Sequence, residues 1–427
     1  MTACYDVVVA GAGPAGMAAA TVAAECGRRV CLLDDNPAAG GQIWRGIDAD
    51  DSAREAHGKA FAHWSRRLRA AGVAVQSGAR VVARPAKNVL RVESANGWTD
   101  IGFQKLILAT GARERYLPFP GWTLPGVMGA GGLQALVKAG LPVEGKRVVL
   151  AGSGPLLLAV AAVLARRGAR VVGIFEQAPL ARMLRFGASM LFEPGKLMEG
   201  ARYRAVTHAT PYRTSSWVVR AHGRGRLEAV TLSTGGSRRE MACDYLGCGF
   251  HLVPNLELPR LLGCRIEEQY VCVDSAQQTS LPEVYCAGEL TGVGGLDKAL
   301  VEGEIAGLAA AGRSSAGLAG KRDRLMRFAR NLDAAFALRD ELRGLAEAET
   351  LICRCEDVPR AALVEFGSWR EAKLHTRCGM GPCQGRVCGP AANFLFGWEN
   401  ESVRPPLTPA RIGTLAEALE EHTGSSL

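Results

Sequence analysis

Cysteine clustering near the carboxyl end is the first feature of this sequence that points to chemistry. Five of the thirteen cysteines lie between positions 353 and 388: a Cys353-Arg-Cys355 pair, then Cys378, Cys383 and Cys388. Thiolates that converge on one centre at about 2.3 Å hold zinc, and thiolates also hold iron–sulfur clusters. The spacing therefore predicts a metal or cluster site with Cys353 and Cys355 as its first pair. The second pair is either Cys383 with Cys388 or Cys378 with Cys383.

A glycine-rich turn near the amino end is the second such feature. An apolar strand, residues 6–10, runs into Gly11, Gly13 and Gly16 and then into an alanine-rich helix. The first glycine permits a tight turn, the second lets the backbone approach a pyrophosphate, and the third lets helix pack on strand. The amino end of the helix offers free N–H groups to the anion. A second strand ends at Asp34, which is placed to accept hydrogen bonds from a ribose.

A second strand–turn–helix unit leaves two interpretations open. Residues 146–151 form a strand that runs into Gly152 and Gly154, but Leu157 stands where the third glycine belongs. A following strand ends at Glu176, one position later than the acid of the first unit does. Either the unit binds NAD, with Glu176 repelling the 2′-phosphate of NADP, or it is a Rossmann-like scaffold that binds no nucleotide. The missing glycine and the late acid favour the empty scaffold.

Composition and charge exclude several classes of protein. The net charge is +9, but the basic residues are scattered, without the basic stripe and interleaved aromatic residues that nucleic-acid binding requires. The longest apolar run, residues 156–165, is too short to span a membrane. The amino terminus runs directly into a strand and lacks a secretory-signal pattern. We therefore expect a cytoplasmic protein. An association with the inner face of the membrane, through an electron acceptor, stays an open alternative. In that compartment cysteine clusters are more often metal ligands than disulfides.

The remaining polar residues form no recognisable catalytic set. The sequence shows no base–nucleophile pair and no repeated histidine spacing, so no catalytic residue is assigned. Cys4, Cys26 and Cys31 do not form the closely spaced redox pair of disulfide reductases, and we expect them to be buried core residues.

Strand and helix signals arrange these sites in a nested order within an α/β protein. Leu325, Phe328, Leu332, Phe336 and Leu342 recur over a charged background and predict an amphipathic helix. Helices are also predicted at 356–366 and 389–397. The predicted domains are a discontinuous first dinucleotide-binding domain (1–111 and 246–312), which becomes an FAD-binding domain if the resemblance of its motifs holds, a Rossmann unit (112–245), a linker with the amphipathic helix (313–350), a small helical cysteine module (351–400) and a tail (401–427).

Three segments resemble motifs of the two-dinucleotide-binding-domain flavoproteins of the glutathione-reductase type. Gly40-Gly-Gln-Ile-Trp44 resembles their flavin-side loop, and residues 105–111 resemble the Ala-Thr-Gly segment that closes the flavin domain. Residues 281–289 resemble the second FAD motif, although Glu289 stands where Asp is usual. The resemblance implies that fold and an FAD cofactor. The residues implied as FAD contacts are Gly11, Gly13, Pro14, Ala15, Gly16, Asp34, Asp35, Gly41, Gln42, Val82, Ala109, Thr110, Gly111, Gly288 and Glu289.

The cysteine module resembles the bacterioferritin-associated ferredoxin-like domain, a small helical 2Fe-2S module. Its run Gly379-Met-Gly-Pro-Cys-Gln-Gly-Arg resembles the version that is fused to flavoproteins. That resemblance implies a 2Fe-2S cluster and leaves Cys378 as a spare cysteine. A structural zinc site is the alternative. The implied ligands are Cys353, Cys355, Cys383 and Cys388.

Taken together, these motifs resemble the large FAD-binding subunit of heteromeric dye-linked amino-acid and amine dehydrogenases. That family includes opine oxidase, hydrogen cyanide synthase and D-hydroxyproline dehydrogenase. The resemblance implies that a separate flavoprotein subunit, similar to D-amino-acid oxidases, oxidises the amine, and that a small ferredoxin-like subunit often completes the complex. Two rival functions remain open: a self-sufficient NADH-dependent flavin and iron–sulfur reductase, and a structural scaffold subunit.

Overall fold

The computed structural model describes residues 3–45, 56–399 and 403–416 of the chain. The helices, numbered in chain order, are α1 (Pro14–Glu25), α2 (Ala56–Ala70), α3 (Ala130–Lys138), α4 (Leu156–Arg166), α5 (Leu180–Ser189), α6 (Pro194–Val206), α7 (Glu257–Leu262), α8 (Gly295–Ala310), α9 (Ala319–Phe336), α10 (Trp369–Thr376) and α11 (Cys388–Phe396). The strands are β1 (Ala3–Ala10), β2 (Val30–Asp34), β3 (Ala74–Ser77), β4 (Arg80–Ala86), β5 (Val89–Ser94), β6 (Gly97–Leu108), β7 (Ala112–Glu114), β8 (Val127–Gly129), β9 (Arg147–Ser153), β10 (Arg170–Glu176), β11 (Tyr212–Arg213), β12 (Ser216–His222), β13 (Ala229–Thr234), β14 (Ser237–Ala242), β15 (Tyr245–Phe250), β16 (Leu252–Pro254), β17 (Ile266–Glu267), β18 (Tyr270–Val271), β19 (Val284–Cys286), β20 (Leu351–Cys353) and β21 (Val358–Pro359).

The chain divides into two compact units, each assembled from separate stretches of sequence. The first unit comprises Met1–Arg113, Pro254–Ala329 and Glu401–Leu427, and the second comprises Glu114–Val253 and Arg330–Asn400. The predicted FAD-binding domain resumes at residue 246, inside β15. That strand instead pairs in parallel with β9 and with β8, so it belongs to the second unit. Residues 400–402 and 417–427, which include about half of the predicted tail, lie outside the described residues.

The first unit is built on a seven-stranded sheet in the order β3-β2-β1-β6-β5-β4, with β19 also pairing with β6. Strands β1, β2, β3, β6 and β19 are parallel, and β1 is apolar and buried through its carboxyl-terminal half because both faces of a parallel sheet are covered. Helix α8 packs so closely on α1 that a Cβ at Gly303 would lie 2.2 Å from the Ala15 carbonyl oxygen. The glycine turn from β1 to α1 thereby lies at the carboxyl edge of the parallel strands, where such sheets bind ligands.

The second unit contains a five-stranded parallel sheet in the order β11-β10-β9-β15-β8. Helix α4, which follows β9, buries Leu157, Val160 and Leu164 against it. A three-stranded antiparallel sheet, β12-β13-β14, precedes β15 in the chain. Each of the two units therefore contains a strand, a glycine turn and a helix on a parallel sheet, and this confirms the predicted α/β fold with two dinucleotide-binding units.

The cysteine module differs from its prediction in one helix. The stretch predicted as a helix at 356–366 forms instead β21 and a 3₁₀ helix, Arg360–Ala362. The reason is Pro359, since the residue before a proline is biased towards extended backbone, and Val358 adopts it. The helix predicted at 389–397 is present as α11.

Helix α10 was not predicted, although the sequence carries a signal for it. The hydroxyl of Ser368 accepts a hydrogen bond from the Glu371 backbone N–H at 3.2 Å and caps the helix. Ser-x-x-Glu is the sequence pattern of a capping box. The predicted amphipathic helix ends at Phe336 as α9, and Leu342 lies in a separate 3₁₀ helix, Asp340–Gly344.

All thirteen cysteines lie in the described part of the chain, and none of them forms a disulfide. Cys31 is buried as expected, but Cys26 is partly exposed and Cys4 is exposed. The expectation of a core position is therefore wrong for Cys4, which lies near the amino end of β1, where that strand is exposed. Among the described residues, no helix is long and apolar enough to cross a membrane.

Candidate dinucleotide and metal sites

The turn between β1 and α1 excludes side chains at two of its three glycines. Gly11 has a φ of +106°, and a Cβ there would lie 2.2 Å from the Ala109 carbonyl oxygen. A Cβ at Gly16 would lie 1.7 Å from the Gly11 carbonyl oxygen. Any larger residue at either position would displace backbone, so the tight turn and the close packing of helix on strand both depend on glycine.

Gly13 has a different environment, because a Cβ there would meet no protein atom within 4 Å. It is the N-cap of α1, has no side-chain cap, and precedes Pro14, the first residue of the helix. The N–H groups of a first helical turn have no intrahelical partner. Open space in front of such amides is a cradle for a pyrophosphate. Ala15, another predicted FAD contact, is buried and packs on Gly288 of the segment that resembles the second FAD motif. A Cβ at Gly288 would lie 2.9 Å from the Ala15 Cβ.

Asp34 is buried at the end of β2 and joins that strand to the glycine turn. Its Oδ2 accepts from the Ala12 backbone N–H at 2.5 Å, and its Oδ1 accepts from the backbone N–H and Nδ2 of Asn36 at 2.8 and 2.7 Å. A carboxylate oxygen has two lone pairs, so Oδ2 retains capacity for a ribose hydroxyl. Asp35 is exposed, and its Oδ1 accepts from Asn36 Nδ2 at 3.1 Å.

The loop that contains the predicted flavin-side motif packs on the glycine turn. A Cβ at Gly41 would lie 2.9 Å from the Cα of Gly13. Gln42 is exposed, whereas Trp44 is buried against Phe61 with ring centroids 5.5 Å apart. The Trp44 Nε1 is buried and has no hydrogen-bond partner among the described residues. Buried donors normally have a partner, so this indole N–H is a group that a bound ligand would satisfy.

The Ala-Thr-Gly segment is held by a residue that the sequence analysis missed. The Nδ2 of Asn255 donates to the Thr110 carbonyl at 2.7 Å, and the Thr110 hydroxyl donates to the Asn255 carbonyl at 3.1 Å. The Asn255 backbone N–H donates to the Gly111 carbonyl at 3.0 Å. Ala109 continues β6 and donates its N–H to the Ala10 carbonyl at 2.8 Å. No local pattern around Asn255 predicts this role, because its partner Thr110 lies 145 positions away in the sequence.

Val82, the remaining predicted contact outside the second FAD motif, is fully buried on β4. Its carbonyl accepts from the Leu407 backbone N–H at 2.8 Å. A contact between Val82 and a cofactor therefore stays a prediction.

Glu289 caps the amino end of helix α8. Its Oε1 accepts from the Gly295 N–H at 3.0 Å and its Oε2 from the Gly294 N–H at 3.2 Å. Burial raises the pKa of Glu289, against the opposing charge of Lys298 and these two amide bonds. The carboxylate of Glu289 therefore lies against the helix terminus, where an acid is stabilised by the helix dipole.

A buried ion pair beneath the second FAD motif is the second feature that the sequence analysis missed. Lys298 Nζ donates to the Gly288 carbonyl at 2.9 Å, to the Thr291 hydroxyl at 2.8 Å and to Glu302 Oε2 at 2.8 Å. Glu302 Oε2 also accepts from the Gly288 N–H at 2.9 Å and from the Thr291 hydroxyl at 2.7 Å. A Lys and a Glu four positions apart on a helix usually mark a solvent-exposed face. The flanking apolar residues of α8 were the available signal for burial, namely Ala299, Val301 and Ile305.

Five thiols converge in the cysteine module. The Sγ atoms of Cys353, Cys378 and Cys388 all lie within 4.8 Å of one another, and all three residues are buried. Cys383 is hydrogen-bonded to Cys388 and to Cys355, which is exposed. Of the four predicted ligands, Cys353 and Cys388 belong to the group whose sulfur atoms lie within 4.8 Å of one another, and the assignment of Cys355 and Cys383 stays a prediction. Cys378, which was expected to be a spare, lies inside the same group.

The close approach of these thiols sets their proton affinities. Hydrogen bonds from the thiols of Cys378 and Cys388 hold the pKa of Cys353 far below its usual value, and the backbone N–H groups of Gly379 and Glu356 lower it further. The bond to Cys353 raises the pKa of Cys378 to about 12. Thiolate, not thiol, is the form that binds metal, so amides directed at the Cys353 sulfur favour a ligand there.

Glu176 of the second unit is in register with its glycine turn, contrary to the prediction from sequence spacing. The extra residue is absorbed by an irregularity in β10 between Val171 and Gly173, so that Glu176 pairs with Gly152. Its Oε2 accepts from the Gly154 N–H at 2.8 Å, as Asp34 does from its own turn. The late position of this acid in the sequence is therefore no argument against a nucleotide site.

Comparison with known proteins identifies relatives over almost the whole chain. The model of the family described as pyridine nucleotide-disulphide oxidoreductase matches residues 5–314. An opine oxidase subunit of Rhizobium meliloti (strain 1021) is 32% identical, over 97% of this chain and 99% of that protein. Hydrogen cyanide synthase subunit HcnB of Pseudomonas protegens is 31% identical, over 89% of each. The crystal structure of L-proline dehydrogenase from P. horikoshii has the same fold, with a TM-score of 0.69 at 17% identity, over 97% of this chain and 80% of that one.

Proposed function

This chain belongs to the pyridine nucleotide-disulphide oxidoreductase family, and we propose that it is the electron-transferring FAD and 2Fe-2S subunit of a heteromeric dye-linked dehydrogenase. In this proposal an imino acid, a D-amino acid or an opine is oxidised at its CH–NH or CH–NH₂ group on a partner flavoprotein subunit. That partner is similar to D-amino-acid oxidases, and a small ferredoxin-like subunit is a further candidate member of the complex.

The observation that carries the proposal is the presence in one chain of a dinucleotide cradle and of a cysteine module in which three buried thiols lie within 4.8 Å of one another. When bound, FAD accepts two electrons together and a 2Fe-2S cluster passes them on singly. Two redox groups in one chain suit an electron relay. The names of the opine oxidase and hydrogen cyanide synthase relatives describe those proteins as subunits, and each aligns with most of this chain.

The residues of the first unit fit FAD. The free amides of the α1 first turn at Gly13 would hold the pyrophosphate, and Asp34 would accept from the adenosine ribose. The Nε1 of Trp44, which has no hydrogen-bond partner in the described part of the chain, supplies a further donor in the adjoining loop. The carboxylates of Asp34 and Glu289 both accept hydrogen bonds from backbone amides. These bonds position the glycine turn and helix α8, and they assign neither acid a role in moving a substrate proton.

In this proposal Cys353, Cys355, Cys383 and Cys388 would hold a 2Fe-2S cluster. The buried thiol group that contains Cys353 and Cys388 supports a metal centre in the module, and the close packing of Gly381 on Cys355, where a Cβ at Gly381 would lie 2.4 Å from the Cys355 Cβ, brings the loop of Cys383 near Cys355. Four thiols within one small module supply the ligand number that both a cluster and a structural zinc ion require. Metal analysis and the spectrum of the reduced protein distinguish these two occupants.

Co-expression tests the subunit proposal. The full chain is produced alone and together with the products of its neighbouring genes, and dye reduction is measured with imino acids, D-amino acids and opines. We expect no amine oxidation by the chain alone and activity in the complex. In the complex, Cys353→Ser should slow dye reduction while the amine still reduces the flavin of the partner. Amine oxidation by the isolated chain would show that the substrate site lies on this chain and would refute the proposal.

An NADH-dependent reductase is the second candidate, and the register of Glu176 is the observation in its favour. Such an enzyme would take electrons from NADH at the second unit and release them through the cysteine module. Rapid NADH oxidation by the isolated chain would favour this function over the relay role.

A further inference from the structure

A segment of the chain lies across the glycine turn of the second unit. We call residues 333–339 the crossing segment; it comprises the last turn of α9 and the residues that follow. The hydroxyl of Ser153 donates to the Phe336 carbonyl at 2.9 Å. Gln177 Nε2 donates to the Ser153 hydroxyl at 2.9 Å and lies 3.3 Å from the Ala337 carbonyl. Gln177 Oε1 accepts from the Arg339 backbone N–H at 3.2 Å.

Three further contacts hold the crossing segment in place. Asp333 Oδ1 pairs with His251 Nε2 at 2.7 Å. The ring of Phe336 is buried and meets Phe186 of α5 edge-on, with centroids 5.5 Å apart. Arg182 Nη1 donates to the Ala337 carbonyl at 3.1 Å. The segment is therefore attached to β9, β10, α5 and the end of β15 by side chains and backbone alike.

The contacts of the segment lie beside the place where this fold binds a nucleotide. Ser153 follows the first glycine of the second turn, and Gln177 follows Glu176 at the carboxyl end of β10. In doubly wound sheets the pyrophosphate lies over the glycine turn and the ribose lies beside the acid at the end of the second strand. The crossing segment hydrogen-bonds to Ser153, which adjoins the first glycine of the turn, and to Gln177, which adjoins Glu176.

The nucleotide-binding elements beneath the segment remain formed. Glu176 is in register with Gly152, and its carboxylate accepts from the turn as Asp34 does in the first unit. A Cβ at Gly154 would meet only His251 Nδ1, at 3.9 Å, so the turn itself leaves room for a ligand. The missing third glycine is filled by Leu157, which is buried in the core of the unit. Nothing at Gly154 itself blocks a nucleotide, whereas the crossing segment occupies the hydrogen-bonding groups of Ser153 and Gln177 beside it.

We infer that the crossing segment determines the nucleotide specificity of this protein by excluding NADH and NADPH from its second dinucleotide unit. Because the segment belongs to the same chain, its contacts with Ser153 and Gln177 are intramolecular, and a nucleotide that needs the space must displace them. The inference concerns the second unit alone and stands independently of the proposed relay role. Electrons then reach the protein from a source other than a nicotinamide nucleotide.

Equilibrium binding of NADH to the FAD-loaded full chain tests this inference, with NADH fluorescence and calorimetry as readouts. The wild type should show no saturable binding up to about 1 mM. The double variant Phe336→Ala/Gln177→Ala removes the ring anchor and the side chain that bridges the segment to the turn. It should bind NADH at least about tenfold more tightly than the wild type. Adding Glu176→Gln to this double variant should reduce the gained affinity, because the ribose then loses its carboxylate acceptor.

Leu332→Ala is the matched control, since Leu332 is a buried residue one turn earlier on α9 and makes no hydrogen bond to the glycine turn. It should leave NADH binding undetectable. Saturable binding by the wild type at micromolar NADH would overturn the inference. So would an equal gain in Leu332→Ala, or no gain in a double variant that keeps its FAD content and thermal transition. If the double variant does not fold, Phe336→Ala alone is measured by the same criteria.

Discussion

Lys298 and Glu302 lie one turn apart on α8 and form an ion pair of 2.8 Å in which each side chain is only 1% exposed. The pair holds both backbone groups of Gly288, because Lys298 donates to its carbonyl and Glu302 accepts from its N–H. A buried ion pair adds little net stability, but the loss of one partner leaves an uncompensated charge. The pair therefore fixes the backbone of the second FAD motif. Loss of either partner alone should lower the free energy of unfolding, because the other charge would stay buried.

Lys298→Met should lower the free energy of unfolding by about 3–5 kcal/mol, because the Glu302 carboxylate is left buried without its cation. The double variant Lys298→Met/Glu302→Gln should recover part of this loss. Urea denaturation of the FAD-loaded protein is the measurement. The more accessible pair of Lys105 and Glu283, whose side chains are 26% and 56% exposed, is the control, and Lys105→Met should cost no more than about 1 kcal/mol. A cost for Lys298→Met equal to that of the control would contradict the role assigned to the buried pair.

Gly13→Val should abolish FAD binding while the fold is retained. A Cβ at Gly13 meets no protein atom within 4 Å, so the added side chain clashes only with a bound pyrophosphate. The measurement is the FAD released from purified protein on denaturation, together with the circular dichroism of each variant. Gly317→Val, at an exposed glycine whose Cβ also meets nothing, is the matched control and should keep its FAD. Wild-type FAD content in Gly13→Val would place the cofactor elsewhere.

Serine at Cys353, Cys355, Cys383 or Cys388 should abolish or alter the electron paramagnetic resonance signal of the reduced protein. Cys378→Ser should keep the signal with a shifted spectrum, because Cys378 lies within 4.8 Å of two proposed ligands without being one. Loss of the signal in Cys378→Ser, together with its retention in Cys355→Ser, would show that Cys378 is a ligand in place of Cys355. If the reduced wild-type protein gives no electron paramagnetic resonance signal and contains one equivalent of zinc, the module holds zinc and not an iron–sulfur cluster.

Glu176 should make the protein less stable as pH rises from about 5 to 7. Burial raises the pKa of Glu176 to about 7, against hydrogen bonds from the Ala178 and Gly154 amides that lower it. The unfolded value is about 4.3, so the folded state binds more protons in this window and the free energy of unfolding falls as pH rises. Urea denaturation at pH 5 and pH 8 should show that the wild type loses about 2–3 kcal/mol more than Glu176→Gln over this range. Equal pH slopes for the two proteins would show that Glu176 is ionised at both pH values.

The sequence predicted those features that local spacing determines. Gly11, Gly16 and Asp34 lie where the dinucleotide fingerprint places them, because the turn, the helix start and the strand end are set within a few residues. The register of Glu176 could not be predicted by counting, because the irregularity at Val172 is set by pairing with β9 rather than by the local sequence.

Features that depend on distant partners escaped prediction. Asn255 meets Thr110 only after the chain has passed through the second unit, and Lys298 is buried by elements that its own helix does not reveal. The crossing segment was predicted as part of a linker and amphipathic helix, and its attachment to Ser153 and Gln177 follows from tertiary packing alone.

The interleaving of the two units also fixes an order of events during synthesis. Helix α1 emerges early, yet the helix that packs on it, α8, begins at Gly295 and follows most of the second unit. At typical elongation rates of about 5–20 residues per second, the apolar face of α1 waits on the order of tens of seconds for this partner. Residues 106–108 of β6, which lie beyond the part that pairs with β5, likewise remain unpaired on that side until β19 (Val284–Cys286) is made. The newborn chain therefore presents an unprotected strand end and an uncovered helix through much of its translation.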